Sequence, residues 1–124
     1  MENLIYKSTK STPDINLDAT NNLIEISGQS YPEDSTTFYQ PVFSWIKEYL
    51  TQATSKVNVK FKLVYLNTSS SKCVMTILDM LEDAHAEGKE IVVNWHYDSE
   101  NDAALESGED FREDLDLNFN LVED

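Results

Sequence analysis

The chain has 124 residues, 40% of them apolar, with one cysteine, three glycines and a formal net charge of -14 from 23 acidic and 9 basic side chains. That charge excludes a role built on neutralising nucleic-acid phosphates or anionic lipid surfaces, and it favours encounter with basic protein faces. One cysteine excludes an internal disulfide and a multi-cysteine zinc site, and three glycines exclude a glycine-rich nucleotide cradle.

Residues 1–124 read as one domain, long enough to bury a core without staples. The opening MENLIYKSTK holds no apolar run of signal-peptide type. No stretch approaches the ~20 apolar residues of a membrane span, so a soluble cytoplasmic protein is expected. Residues 4–9 are weakly strand-like. Residues 15–17 and then Leu23, Ile24 and Ile26 read as two short strands around the turn-rich DATNN, a hairpin that Gly28 is expected to end. Asp34 or Ser35 then caps a helix with Phe38, Val42, Trp45, Ile46 and Tyr49 at helical spacing. Pro41 either kinks that helix or marks the first turn of its regular part. The helix should stop between Gln52 and Ser55.

Val57, Val59, Phe61, Leu63 and Tyr65 alternate with Asn58, Lys60, Lys62 and Val64. This is a strand with one buried face, and Tyr65 belongs to that face by period. After YLNTSSSK comes a helix with the apolar stripe Val74, Ile77, Leu78, Leu81 and Ala84, stopped by Gly88. Asp79, Glu82, Asp83 and Glu87 read as its solvated side. Residues 89–97 form another strand, residues 98–114 a weak acidic helix, and Leu117, Phe119 and Leu121 a last strand. The segment 98–124 carries 11 acidic residues and one Arg. Alternating strands and helices predict an α/β fold, with a largely parallel or mixed sheet and helices packed on it.

No phosphate loop, dinucleotide fingerprint or nucleophile elbow is present. His85 and His96 read as ordinary surface or half-buried histidines, a metal site from His96, Asp98 and Glu100 being the less probable alternative. Cys73 falls in the first turn of the second helix by this reading, where it is best explained as packing. No cofactor is implied. The four consecutive hydroxyls from Thr68 to Ser71 are different. Capping by Thr68, Ser69 or Ser70 explains part of the cluster and ranks first on composition alone. The same place also suits a phosphate, because free N–H groups and the positive helix end receive it, with Lys72 the nearby cation.

The stretches KFKLVYLNTSSSK, VMTILDMLEDAHAEGKE, IVVNWHYD and EDFRED, with STPDI and GQSYPEDS upstream, resemble the SiaC family of bacterial regulatory phosphoproteins. The resemblance implies a single STAS-like domain and a switch rather than an enzyme. It implies phosphorylation of Thr68 by a kinase of the histidine-kinase-like ATPase type and removal of the phosphate by a PP2C-type phosphatase. The unphosphorylated form would bind and activate a GGDEF diguanylate cyclase, raising cyclic di-GMP and promoting biofilm formation. Asn67, Ser69, Ser70 and Lys72 are then expected to shape the partner-binding surface around Thr68. A small-molecule pocket beside Trp95, His96 and Tyr97, or a purely structural oligomerisation domain, are the alternatives.

Overall fold

The computed structural model describes all residues from Met1 to Asp124. Its elements are β1 (Leu4–Tyr6), β2 (Asp14–Asp18), β3 (Leu23–Ser30), α1 (Ser35–Gln52), β4 (Val57–Leu66), α2 (Thr68–Ala86), β5 (Ile91–Tyr97), α3 (Asp102–Glu113) and β6 (Asn118–Glu123). The six strands make one sheet in the order β1-β2-β3-β4-β5-β6. The first three pair antiparallel, and β3 to β6 pair parallel. Parallel neighbours need a crossover, and each helix is one. The expected α/β class, mixed and mostly parallel sheet and N-terminal hairpin are therefore what forms.

Local chemistry explains the turns. Between β2 and β3, the Asp18 carboxylate accepts from the Asn21 backbone at 3.1 Å and from its amide at 2.7 Å. Asn22 adopts φ 53, a left-handed conformation that asparagine tolerates. Asp34 caps α1 by accepting from Thr37 N–H, and Gly88 (φ +103) follows the end of α2.

One face of the sheet is buried. Ile24, Ile26, Val59, Phe61, Val93 and Trp95 are nearly inaccessible, and α1 and α2 lay Tyr39, Val42, Ile46, Val74, Ile77 and Leu81 onto the same core. The third helix covers that face too. Trp95 donates its indole N–H to the Ala104 carbonyl at 2.9 Å and packs on Phe61, Phe111 and Phe119. The other face is open and polar: Asn16, Glu25, Lys60, Asn94 and Asn120 stand in one row across five strands.

Two expectations are corrected, and the one on Pro41 keeps only the first of its two alternatives, a proline inside the helix. Gly28 does not end the hairpin; β3 passes through it at φ +111 and continues to Ser30. The register shifts there, so that Gly28 opposes Leu63 while Gln29 opposes Tyr65, and Val64 is the extra residue of a bulge. One extra residue reverses the side on which later side chains stand. Tyr65, expected inside with Phe61 and Leu63, is accordingly 53% exposed. Pro41 lies well inside α1, beyond its first turn.

Candidate functional site

The β4–α2 junction holds the hydroxyl cluster. Its cap is Asn67, not a hydroxyl. The Asn67 side chain accepts from Ser70 N–H at 2.9 Å, and its carbonyl accepts from Ser71 N–H at 2.9 Å. The expectation that Thr68, Ser69 or Ser70 caps the helix fails for a physical reason: two of those hydroxyls are taken by partners far away in sequence. Ser70 is fully buried and accepts from the Ser30 hydroxyl at 2.8 Å. The Ser30 oxygen lies 2.7 Å from the Tyr39 hydroxyl. Ser35 lies 3.3 Å from Ser70 and 2.8 Å from Ser69, and Ser69 donates to the Asn67 side chain at 3.3 Å.

These bonds satisfy one another only in a single direction. Ser30 donates to Ser70, so Tyr39 donates to Ser30; Ser70 then donates to Ser35, Ser35 to Ser69, and Ser69 to the Asn67 Oδ1, which ends the chain as acceptor. Burial pushes the Tyr39 hydroxyl up to about 12, with the Ser30 bond opposing and Cys73 adding slightly, so Tyr39 stays neutral and able to donate. The chain of hydroxyls joins the end of β3, the first turn of α1 and the first turn of α2. Backbone reinforces it, because Asn67 N–H donates to the Ser30 carbonyl at 3.1 Å.

Thr68 is what this scaffold leaves over. It is the first residue of α2, it is exposed, and its hydroxyl makes no hydrogen bond within the chain, unlike those of Ser69 and Ser70. As the first two residues of the helix, Thr68 and Ser69 have N–H groups with no intrahelical acceptor. Lys72 lies one turn further along the same side of the helix and is exposed. Sequence reasoning grouped Asn67, Thr68, Ser69, Ser70 and Lys72 at this junction and missed that Ser30, Ser35 and Tyr39 join them. Only the polar letters of SYPEDS hinted at them, and nothing local says which pair with residues so far downstream.

Other candidates resolve into structure. Cys73 is the sixth residue of α2, past the first turn; it is buried, and burial raises its thiol pKa. Glu82 is not simply solvated: it accepts from the N–H groups of Asp116 and Leu117 at 2.8 and 3.0 Å, fixing the approach to β6. His85 is half-buried, as read from the sequence, and its Nδ1 is buried without a partner. His96 Nδ1 is 2.9 Å from Asp124, whose other oxygen is 2.8 Å from Lys62 Nζ. The His96 bond first, then Lys62, hold the Asp124 carboxyl down at about 2. No group of three or more His, Cys, Asp or Glu is placed to hold a metal ion.

The pocket imagined beside Trp95 is not there, because that indole is fully buried in the aromatic cluster. Topology gives a reason. Crevices in open α/β sheets form where the strand order reverses, and this order runs from β1 to β6 without reversal. The largest concavity, about 880 Å³, is an open groove between α1 and α2 lined by Phe43, Leu50, Met80 and Ala84 among polar side chains.

Fold and junction together define a class: a small α/β protein with helices on one side of its sheet, whose distinctive site is a free hydroxyl on a rigidly held helix start. The chain belongs to the SiaC family of regulatory phosphoproteins, whose family model matches residues 6–124. It is similar to SiaC of Pseudomonas aeruginosa, at 36% identity with a TM-score of 0.93, covering 100% of both chains. It is equally similar (37% identity, TM-score 0.93, 98% of this chain and 99% of the other) to SiaC in the crystal structure of the diguanylate cyclase SiaD in complex with its activator SiaC, from the same organism. An uncharacterized protein of Pseudomonas aeruginosa strain UCBPP-PA14 is 39% identical over 119 residues, 96% of this chain and 94% of that protein. No helix of the chain is long and apolar enough to cross a membrane.

Proposed function

We propose that this chain is a cytoplasmic, non-enzymatic phospho-switch. Thr68 is the phosphoacceptor. A histidine-kinase-like ATPase kinase adds the phosphate and a PP2C-type phosphatase removes it. The unphosphorylated form binds and activates a GGDEF diguanylate cyclase, and so controls cyclic di-GMP and biofilm formation. The observation that carries this reading is the unbonded, exposed Thr68 hydroxyl on a junction whose other hydroxyls are engaged. Membership of a regulatory phosphoprotein family and the known SiaD–SiaC complex support it.

The chemistry follows from the geometry. A phosphate on Thr68 brings about -1.5 to -2 charges and three acceptor oxygens. The free N–H groups of Thr68 and Ser69 and the Lys72 ammonium, one turn on, are placed to receive them. The fold therefore carries the modification without rearrangement, since the cap and the hydroxyl chain do not involve the Thr68 side chain. A partner that covers the site must desolvate a dianion, which is costly unless it supplies its own cations there. The same surface thus discriminates between partners by phosphorylation alone.

Intact-mass spectrometry after incubation with the cognate kinase and ATP tests the assignment. Wild type gains one phosphate and Thr68→Ala gains none; equal gain by both would overturn Thr68 as the site. Thr68→Asp is expected to weaken cyclase binding while its circular-dichroism spectrum stays that of wild type.

A further inference from the structure

Large apolar side chains are exposed at only four positions: Met1, Ile5, Val64 and Tyr65. The first two belong to the N-terminal edge. Val64 and Tyr65 are consecutive and are separated from Thr68 by Leu66 and Asn67. Their exposure is built in by the β4 bulge, which turns Tyr65 out of a face that its spacing would otherwise assign to the core. Tyr31 meets Tyr65 edge to face, with ring centroids 5.8 Å apart and planes at 70°. Asn101, the cap of α3, donates to the Val64 carbonyl at 3.1 Å, which holds the start of α3 against the same corner. The result is an aromatic and apolar patch at the end of β4, close in sequence to Thr68.

Its surroundings are acidic on both sides. Strands β3, β4 and β5 are parallel, so their C-terminal loops share one edge of the sheet. Exposed Glu33 and Asp34 follow β3, and exposed Asp98, Glu100 and Asp102 follow β5. Lys62 of β4 is paired with Asp98 at 3.6 Å and Asp124 at 2.8 Å, while Lys10 shares the small concavity that Tyr31 and Val64 line. An apolar centre between two anionic flanks fits a protein surface of complementary design, with an apolar core and a charged rim.

We propose that Val64, Tyr65 and Tyr31 are the apolar anchor on which the diguanylate cyclase docks. The occupant is a cyclase segment with an apolar side chain at its centre and Lys or Arg on either side, reaching the two acidic loops. This rests on the phospho-switch reading above and adds the physical basis of its partner choice. A phosphate on Thr68, three residues on from Tyr65, would set a dianion against the apolar centre of the partner segment and not against its cations. Closing the interface would then bury a dianion against apolar groups.

The test is calorimetric titration of the unphosphorylated full chain with the cognate cyclase, at about 50 mM and about 500 mM salt, which screens exposed charge pairs. Tyr65→Ala is expected to raise Kd about tenfold or more, as an aromatic anchor does. Tyr65→Phe should stay within about threefold, and the edge-strand control Ile5→Ser should bind as wild type. High salt should raise Kd several-fold. Both Tyr65 variants should keep the wild-type circular-dichroism spectrum, since the side chain is exposed. Wild-type affinity in Tyr65→Ala, or salt-independent binding, would overturn the proposal while the phospho-switch reading stands. Concentration-dependent dimers of wild type that Tyr65→Ala abolishes would assign the patch to a second copy and overturn it as well. Failure of the wild-type chain to bind the cyclase would overturn both.

Discussion

Tyr39 carries the first hydroxyl of the chain that runs from the core to the Asn67 cap beside Thr68. It is fully inaccessible, and its proton is what lets Ser30 turn its own toward Ser70. Tyr39→Phe removes that donor and leaves a buried serine short of one partner, so a loss of about 1–2 kcal/mol is expected in denaturant unfolding. The pH dependence has a definite sign. The unfolded Tyr39 ionises near its ordinary value of 10, whereas the folded one waits until about 12. Stability is therefore fully present below pH 10 and falls as pH rises from 10 toward 12. In Tyr39→Phe that alkaline decline should be shallower, with Tyr49, also raised by burial, supplying part of the remainder. An unchanged decline would show that Tyr39 is not ionising in this window. The hydroxyl cluster at the strand-to-helix junction was legible in the sequence, but only the family resemblance singled out Thr68 within it. The cap was not. Asparagine and serine cap equally well, and the choice was settled by Ser30 and Ser35, which claim Ser70 and Ser69 from 34 to 40 residues upstream.

Helix α3 shows how one element is seated by what it lacks. A Cβ on Gly108 would come 2.5 Å from Trp95 Cδ1, 2.7 Å from its Nε1 and 2.8 Å from Leu121 Cδ2. Helix propensity alone favours Gly108→Ala by about 0.5–1 kcal/mol. The overlap costs more, about 1–3 kcal/mol, because the indole is locked on all sides and the helix must lift away from the sheet. The variant should melt at lower temperature and show altered Trp95 fluorescence; a higher melting temperature would mean that the helix slides without penalty. From sequence this helix was only a weak acidic pattern with a thin apolar side. Its seating depends on a tryptophan in the preceding strand, which no local period reveals. The long amphipathic helices and alternating strands were legible for the opposite reason, since burial of one face imposes the period directly. The bulge in β4 broke that rule. Its cause lies across the sheet, in the register shift after Gly28, and a strand read by itself carries no sign of it.

For the molecule as a whole, charge opposes compactness. Beside a net -14 stand only two close lysine–carboxylate pairs, both of Lys62, with His96 hydrogen-bonded to Asp124. Screening should relieve repulsion among the remaining acidic groups more than it weakens those exposed pairs. Raising salt from about 20 mM to about 500 mM should therefore increase the melting temperature by a few degrees in differential scanning calorimetry; a decrease would show that the pairs outweigh the repulsion. The overall architecture was legible because element order and amphipathic period both survive averaging over many residues. The grouping of acidic loops on one sheet edge was not, because it follows from strand direction and appears only when the strands are placed. The monotonic strand order has one more consequence, for biosynthesis. As the chain leaves the ribosome, every strand meets an edge that its predecessor has just completed, and none has to be threaded between two neighbours already joined. Assembly can proceed vectorially, each helix closing over the sheet before the next strand arrives. The corner around Thr68 is complete once α2 has emerged and α3 has been capped against Val64, so a nascent chain finishes that corner only near the end of its own synthesis.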